Sequence, residues 1–291
     1  MLLSGFGGSV NAHQRFNRLE TSVMKKTFVI LLICFVLLSL VPGCGLPLDS
    51  EDDSLQKVLD AGKFVLGLDV GFPPMGYTDE QGNIVGFDID VAREVCKRMG
   101  VELVTKGIDW DTKEDVLNDG TIDCIWNGLS VTPARAKSMN LSDPYMKNEL
   151  IFVVLGSSDA KSISDLTGKK IGVQSGSTAK ETLEKSDLYK YRSVSVLAYE
   201  DNLTLLESLK NGEIDCALVD SVVAYRYIFS SEAQFFVLSD SLGEEEYAIG
   251  FRKNDKKLRD KVQEIISDMK ADGTLGNISK SWFGSDITIV K

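Results

Sequence analysis

The sequence predicts a mainly parallel α/β fold, and two observations lead there. From Lys63 onward, short apolar runs alternate with amphipathic stretches, the pattern of strands and helices taking turns along one sheet. With 43% apolar and 26% charged residues over 291 positions, the composition is that of a globular chain. That length favours one large or two medium domains with real cores.

The elements follow in order. Phe64 to Leu68 reads as a strand, and Gly71-Phe72-Pro73-Pro74 forces a loop after it. Asp79 to Asn83 (DEQGN) is a turn. Asp88 is positioned to cap a helix in which Val91, Val95 and Met99 recur every four residues and which Gly100 closes. Val101 to Thr105 is the next strand. Thr132-Pro133 starts a helix, with a capping hydroxyl followed by proline in the first turn. A weak repeat relates VLNDGTIDCI (116–125) to SLKNGEIDCA (208–217), five of ten residues shared at a spacing of 92. Two similar lobes would give this repeat, and so would two uses of a common helix–glycine–strand connection.

The amino terminus reads differently. Lys25 and Lys26 precede Phe28 to Val41, fourteen residues interrupted only by Ser39. Spanning a bilayer takes about 20 apolar residues, so this run suits the core of a signal peptide. It ends in Val41-Pro42-Gly43-Cys44, which resembles the lipobox of bacterial lipoproteins, with Pro42 a departure from the usual pattern. The expectation is a signal peptide over 24–43, lipidation at Cys44 and a polar tether over 44–54. Ten such residues reach roughly 17 Å as a flexible coil. Residues 1–23 fit none of this and read as a mis-assigned extension upstream of Met24.

Charge and residue inventory exclude several functions. The first 43 residues hold four basic side chains and one acidic, which leaves 28 basic against 42 acidic in the rest. Such a surface repels phosphate backbones, so nucleic acid is not an expected partner. The one histidine, His13, precedes the expected mature chain, which removes Ser-His-Asp and Cys-His catalysis and histidine metal sites. Neither a metal nor a cofactor is expected. Cys96, Cys124 and Cys216 sit in apolar runs without metal spacing and read as buried thiols.

Six blocks in order carry a family resemblance: GFDIDV (86–91), GTIDCIWNGLSVTPAR (120–135), SDPY (142–145), DLTGKKIGVQSGST (165–178), GEIDCALVD (212–220), and Asp272-Gly273-Thr274 with Trp282-Phe283-Gly284. They resemble family 3 of bacterial solute-binding proteins, the amino-acid receptors of ABC importers, over about Leu55 to Gly284. The resemblance implies a two-lobed periplasmic-binding-protein-like (type II) fold with two crossover strands. Lobe 1 would take 55–147 and 247–291, and lobe 2 would take 148–246. Leu150 to Leu155 and Tyr247 to Phe251 suit the crossovers. The implied partners are a free amino acid, an ABC transporter permease and the membrane through the lipid anchor, for a monomer on the extracytoplasmic face of the cell membrane.

The resemblance also implies a site. Arg135 would bind the α-carboxylate, since a planar guanidinium donates two parallel hydrogen bonds. Asp220, at the mouth of a strand, would accept from the α-ammonium. Gly128 and Ser130 would border the α-carbon substituents. Ser177 and Thr178 would open a helix whose first N–H groups favour a carboxylate. Phe72 and Trp110 would flank the side chain, and Asp69 would meet its distal end, which favours polar or cationic ligands. The structural readings of the same residues are a solvated helix arginine for Arg135, helix caps for Ser177 and Asp220, and core for Phe72 and Trp110. Two rival functions share the fold: a cleft enzyme similar to cyclohexadienyl dehydratase, with Asp69 as its acid, and a ligand-sensing module. The sensing module normally needs a downstream membrane segment, which is not expected in the seven residues after Gly284.

Overall fold

The computed structural model describes residues 52–230 and 234–291. The expected signal peptide, Cys44 and the expected tether up to residue 51 lie outside these residues, and the first described helix begins at Ser54.

The first half of the chain runs α1 (Ser54–Ala61), β1 (Lys63–Leu68), β2 (Gly71–Phe72), β3 (Gly76–Thr78), β4 (Ile84–Val85), α2 (Phe87–Met99) and β5 (Glu102–Gly107). A 3₁₀ turn, Trp110–Thr112, leads to α3 (Lys113–Asn118), β6 (Cys124–Ser130), α4 (Pro133–Ser138) and β7 (Met139–Leu141). Next come β8 (Met146–Leu155), β9 (Lys170–Gln174), α5 (Thr178–Lys185), α6 (Asp187–Tyr191), β10 (Ser195–Tyr199), α7 (Asn202–Lys210), β11 (Cys216–Asp220) and α8 (Ser221–Ser230). The return passes through β12 (Phe235–Arg252) to α9 (Lys256–Ala271) and α10 (Thr274–Phe283).

The large sheet has the order β10-β9-β11-β8-β12-β6-β1-β5, with β7 also on β12. At one end β5, β1 and β6 are parallel, and at the other so are β10, β9 and β11. Each parallel set is a lobe. Between them β8 and β12 run antiparallel to each other and to their neighbours, β8 on β11 and β12 on β6. Glu149 faces Glu244, Asn148 faces Glu245 and Lys147 faces Glu246 in this connecting ladder. Both crossover strands are longer than their apolar stretches suggest, because the Lys147–Glu149 and Glu244–Glu246 segments are polar yet fully paired. Strand β6 is buried along its whole length, as expected between two covered faces.

The repeat is structural. In each lobe a helix ends, a glycine turns the chain and a buried strand begins. The Asp123 carboxylate accepts from Val65 N–H (2.8 Å) on the neighbouring strand, while its own N–H donates to Val65 C=O (2.7 Å). Asp215 makes the same pair of bonds with Lys170, at 2.8 and 3.0 Å.

Thr132 caps α4 as expected, accepting from Arg135 N–H with Pro133 in the first turn. Asp88 does not cap α2. The helix starts at Phe87, and the Asp88 side chain turns inward to accept from Gly128 N–H (2.9 Å) and the Tyr145 hydroxyl (3.0 Å). Burial holds its carboxyl up at about 7, only partly offset by these donors. Cys96, Cys124 and Cys216 are free and buried, and burial raises each thiol's pKa.

Candidate functional site

Parallel strands deliver their carboxyl-terminal ends to one edge, so residues just past β1, β6, β9 and β11 meet there. Asp69, Phe72, Trp110, Gly128, Ser130, Arg135, Ser177, Thr178 and Asp220 all line one cavity, joined by Asn127 and Gln174. Its free volume is about 20 Å³, room for about one water molecule. Side chains from the two lobes bond directly across it. Gln174 Nε2 donates to Asp69 Oδ2 (2.7 Å) and Ser130 Oγ lies 3.3 Å from Thr178 Oγ1. Lys113 Nζ donates to Gly176 C=O (3.0 Å) and Ser175 Oγ to Asp111 Oδ1 (3.0 Å). The lobes are closed upon each other.

Arg135 occupies one end. Its position on α4 lets Nη1 donate to Ser130 C=O (2.9 Å), and it is only 6% exposed. Among the described residues no carboxylate stands within ion-pair distance; Glu181, Glu245, Glu114 and Asp220 act on it from further away. Burial lowers its pKa. A buried cation without a counter-ion costs free energy, which an arriving anion would recover. The solvated-arginine reading is therefore set aside.

Asp220 ends β11 on the other lobe, 8% exposed, and accepts from Asn148 Nδ2 (2.5 Å) and the Tyr247 hydroxyl (2.6 Å). Burial first, then Glu245, push its carboxyl up to about 7, against the bonds from Tyr247 and Asn148. These bonds, rather than a helix cap, occupy its side chain. Ser177 does cap α5, accepting from Lys180 N–H (3.2 Å), and its hydroxyl donates to Gln174 C=O (2.7 Å). Its cap reading and its place in the cavity wall both hold.

Asp69 is held on both oxygens, by Gly71 N–H (2.7 Å) and by Gln174. Burial raises its pKa to about 6, those donors lower it, and Asp201 and Glu200 add smaller upward pushes. Phe72 packs edge-on to Tyr247 with centroids 6.5 Å apart, and its ring covers Gly128. Gly128 has φ +58°, and a β-carbon there would stand 2.6 Å from the Phe72 ring, so glycine is required twice over. Trp110 belongs to a small core cluster and also faces the cavity, with Lys113 Nζ 5.0 Å above its ring.

The sequence reading missed Asn127 and Gln174. Each is a polar residue set among buried apolar ones, Asn127 in the middle of β6 and Gln174 at the end of β9, and that is the signal that could have found them. Asn127 Oδ1 accepts from Asp69 N–H (3.2 Å), while its buried Nδ2 has no hydrogen-bond partner. Gln174 is oriented by Asn202, which donates to its Oε1 (2.8 Å). Among the described residues no cluster suits a metal ion, and no helix is long and apolar enough to cross a membrane.

The model for bacterial extracellular solute-binding proteins, family 3, matches residues 64–285, and the chain belongs to that family. It is 31% identical over 261 residues to the arginine-binding extracellular protein ArtP of Bacillus subtilis, covering 89% of this chain and 98% of ArtP. Against the L-cystine-binding protein TcyJ of Escherichia coli identity is 29% over 252 residues, covering 86% and 93%. An ABC uptake transporter substrate-binding protein from Streptococcus pneumoniae, solved with bound histidine, superposes with a TM-score of 0.77 at 35% identity, covering 82% of this chain and 99% of that one. Each is named for binding, none for a reaction.

Proposed function

We propose that the protein captures a free amino acid with a polar or cationic side chain on the outer face of the cell membrane and passes it to an ABC importer. One observation carries this reading. A buried guanidinium without a carboxylate partner and a buried carboxylate, Asp220, stand in one cavity and come from opposite lobes. Arg135 takes the α-carboxylate, Asp220 the α-ammonium, and Phe72 and Trp110 sandwich the side chain with Asp69 at its far end. Gly128, Ser130, Ser177 and Thr178 complete the wall. A ligand gripped at both ends bridges the lobes and thereby favours closure. The small cavity fits this mechanism, since entry then requires the lobes to part about β8 and β12. A micromolar dissociation constant is about −8 kcal/mol, within reach of two charge-assisted groups plus aromatic burial after ordering costs.

The receptor acts as a monomer tethered by lipid at Cys44, a reading supported by Lys25, Lys26 and the apolar Phe28 to Val41 before it. Cys44→Ser should then release the protein from the membrane fraction.

A thermal-shift screen against the twenty amino acids tests the main reading. Ligand at a hundred times its dissociation constant adds about 2.7 kcal/mol of stability. Indifference to all twenty would refute it, and turnover of prephenate or arogenate would replace it with the enzyme reading.

A further inference from the structure

Three consecutive glutamates, Glu244, Glu245 and Glu246, lie on the return strand β12 beside the site. Side chains alternate along a strand. The outer two are exposed, and Glu245 alone is half-buried and turned inward. Its Oε2 accepts from the Ser130 hydroxyl (2.9 Å) and from Asn148 Nδ2 (3.2 Å). The same Asn148 nitrogen also donates to Asp220. Two carboxylates from different strands thus sit on one amide group, and the second is not itself part of the cavity wall.

The consequence falls on Ser130. A hydroxyl has one proton to donate, and an ionised carboxylate can only accept. With the Ser130 proton committed to Glu245, Thr178 is the donor in the Ser130–Thr178 contact, and the remaining lone pair of Ser130 Oγ stays an acceptor. Without Glu245 the hydroxyl would be free to rotate and donate into the site. Asn148 is fixed in turn, because Ser221 Oγ donates to its Oδ1 (3.2 Å), which directs the amide nitrogen to both carboxylates.

We propose that Glu245 is a positioning residue for the ligand's α-ammonium: it holds the Ser130 oxygen as an acceptor and adds negative charge beside Asp220, so the site selects a charged amine at that position. This rests on the amino-acid receptor reading and names a determinant of its selectivity outside the contact shell. The upward push of Glu245 on the Asp220 carboxyl agrees with their proximity. Arg135, Tyr247 and Tyr145 are the other titratable groups facing the pair, and Asp88 lies behind Tyr145.

The test compares each amino acid with the analogue that carries a hydroxyl in place of the α-ammonium: L-arginine with argininic acid, and L-histidine with imidazolelactic acid. Calorimetry on the wild type, Glu245→Gln and Glu245→Leu gives the ratio of amine to hydroxyl affinities. In Glu245→Leu this ratio should fall about tenfold, the worth of a charge-assisted hydrogen bond. Glu245→Gln should fall between, because its amide oxygen still accepts the Ser130 proton while the charge is gone. Ratios within about twofold of the wild type in both variants, even with weaker binding overall, would make Glu245 a strap of the crossover and overturn the proposal. A wild type that binds neither these amino acids nor any of the other eighteen overturns the receptor reading itself.

Discussion

The two lobes are the same device at one end of their strands and different devices at the other. At the amino-terminal edges, Asp123 and Asp215 lock equivalent strands by equivalent pairs of bonds to Val65 and Lys170. At the carboxyl-terminal edges, lobe 1 presents a buried cation and two aromatic faces, while lobe 2 presents Asp220, Gln174 and the start of α5. The scaffold is alike in both lobes at the far edges and divergent at the edges that line the cavity of the proposed site. Changes at the cleft edge should therefore alter binding with little effect on folding, and changes at the far edge the reverse.

Arg135→Ala tests that division hardest. It removes the proposed charge-assisted double contact with the α-carboxylate, so affinity should fall about a hundredfold by calorimetry, with the unliganded melting temperature unchanged or higher as a buried unpaired charge disappears. A loss under about fivefold would end the assignment.

Acidity comes next, with opposite signs for folding and binding. Asp69, Asp88 and Asp220 have carboxyls raised to about 6, about 7 and about 7. The native state then holds more protons than the unfolded state between about pH 4 and 7, so these groups cost stability as pH rises through that window. Binding an ammonium needs Asp220 ionised, so affinity should fall at least about tenfold from pH 7.5 to 5.5 while the unliganded protein gains from the same three groups. Calorimetry in two buffers of different ionisation enthalpy should show proton release near pH 6.5. An affinity flat across this range would remove Asp220 from the ammonium's partners.

Gly71→Ala probes the approach of the lobes. A β-carbon at Gly71 would stand 2.7 Å from Asp201 Cβ on the opposite lobe, too close for either to give way cheaply. Full closure should be blocked and affinity reduced about fivefold without any lost ligand contact. Adding Asp201→Gly should restore it; failure to do so would locate the effect within lobe 1.

The smallest effect on binding belongs to the far edges. Asp123→Ala and Asp215→Ala should each lower unfolding free energy by about 1–2 kcal/mol in urea and leave affinity unchanged. Unequal losses would show that the Arg252 contact of Asp123 (3.4 Å) or the Lys169 contact of Asp215 (3.3 Å) matters more than the shared backbone bonds.

Much of the arrangement was legible in the chain. Strands β1 and β5 were visible as apolar runs, and Thr132-Pro133 marked the start of α4 because a cap and a fixed φ are local chemistry. Asp88 misled for the same reason: an aspartate before an apolar periodicity looks like a cap until a distant N–H and a distant hydroxyl claim it. The polar halves of the crossovers stayed hidden because Lys147–Glu149 and Glu244–Glu246 have no alternation of their own, and only pairing with each other makes them strands.

Local order in the sequence thus determined the element types, the alternation that makes a parallel sheet, and the residue kinds available for a zwitterion, since each depends on neighbours a few positions away. Tertiary structure decided which of those residues meet. Arg135 and Asp220 are 85 positions apart, and whether they share a cavity depends on strand order and lobe closure. So do the reach of Gln174 to Asp69, the turn of Asp88 under Gly128 and the grip of Glu245 on Ser130, because hydrogen bonds act over about 3 Å in space, whatever the separation along the chain.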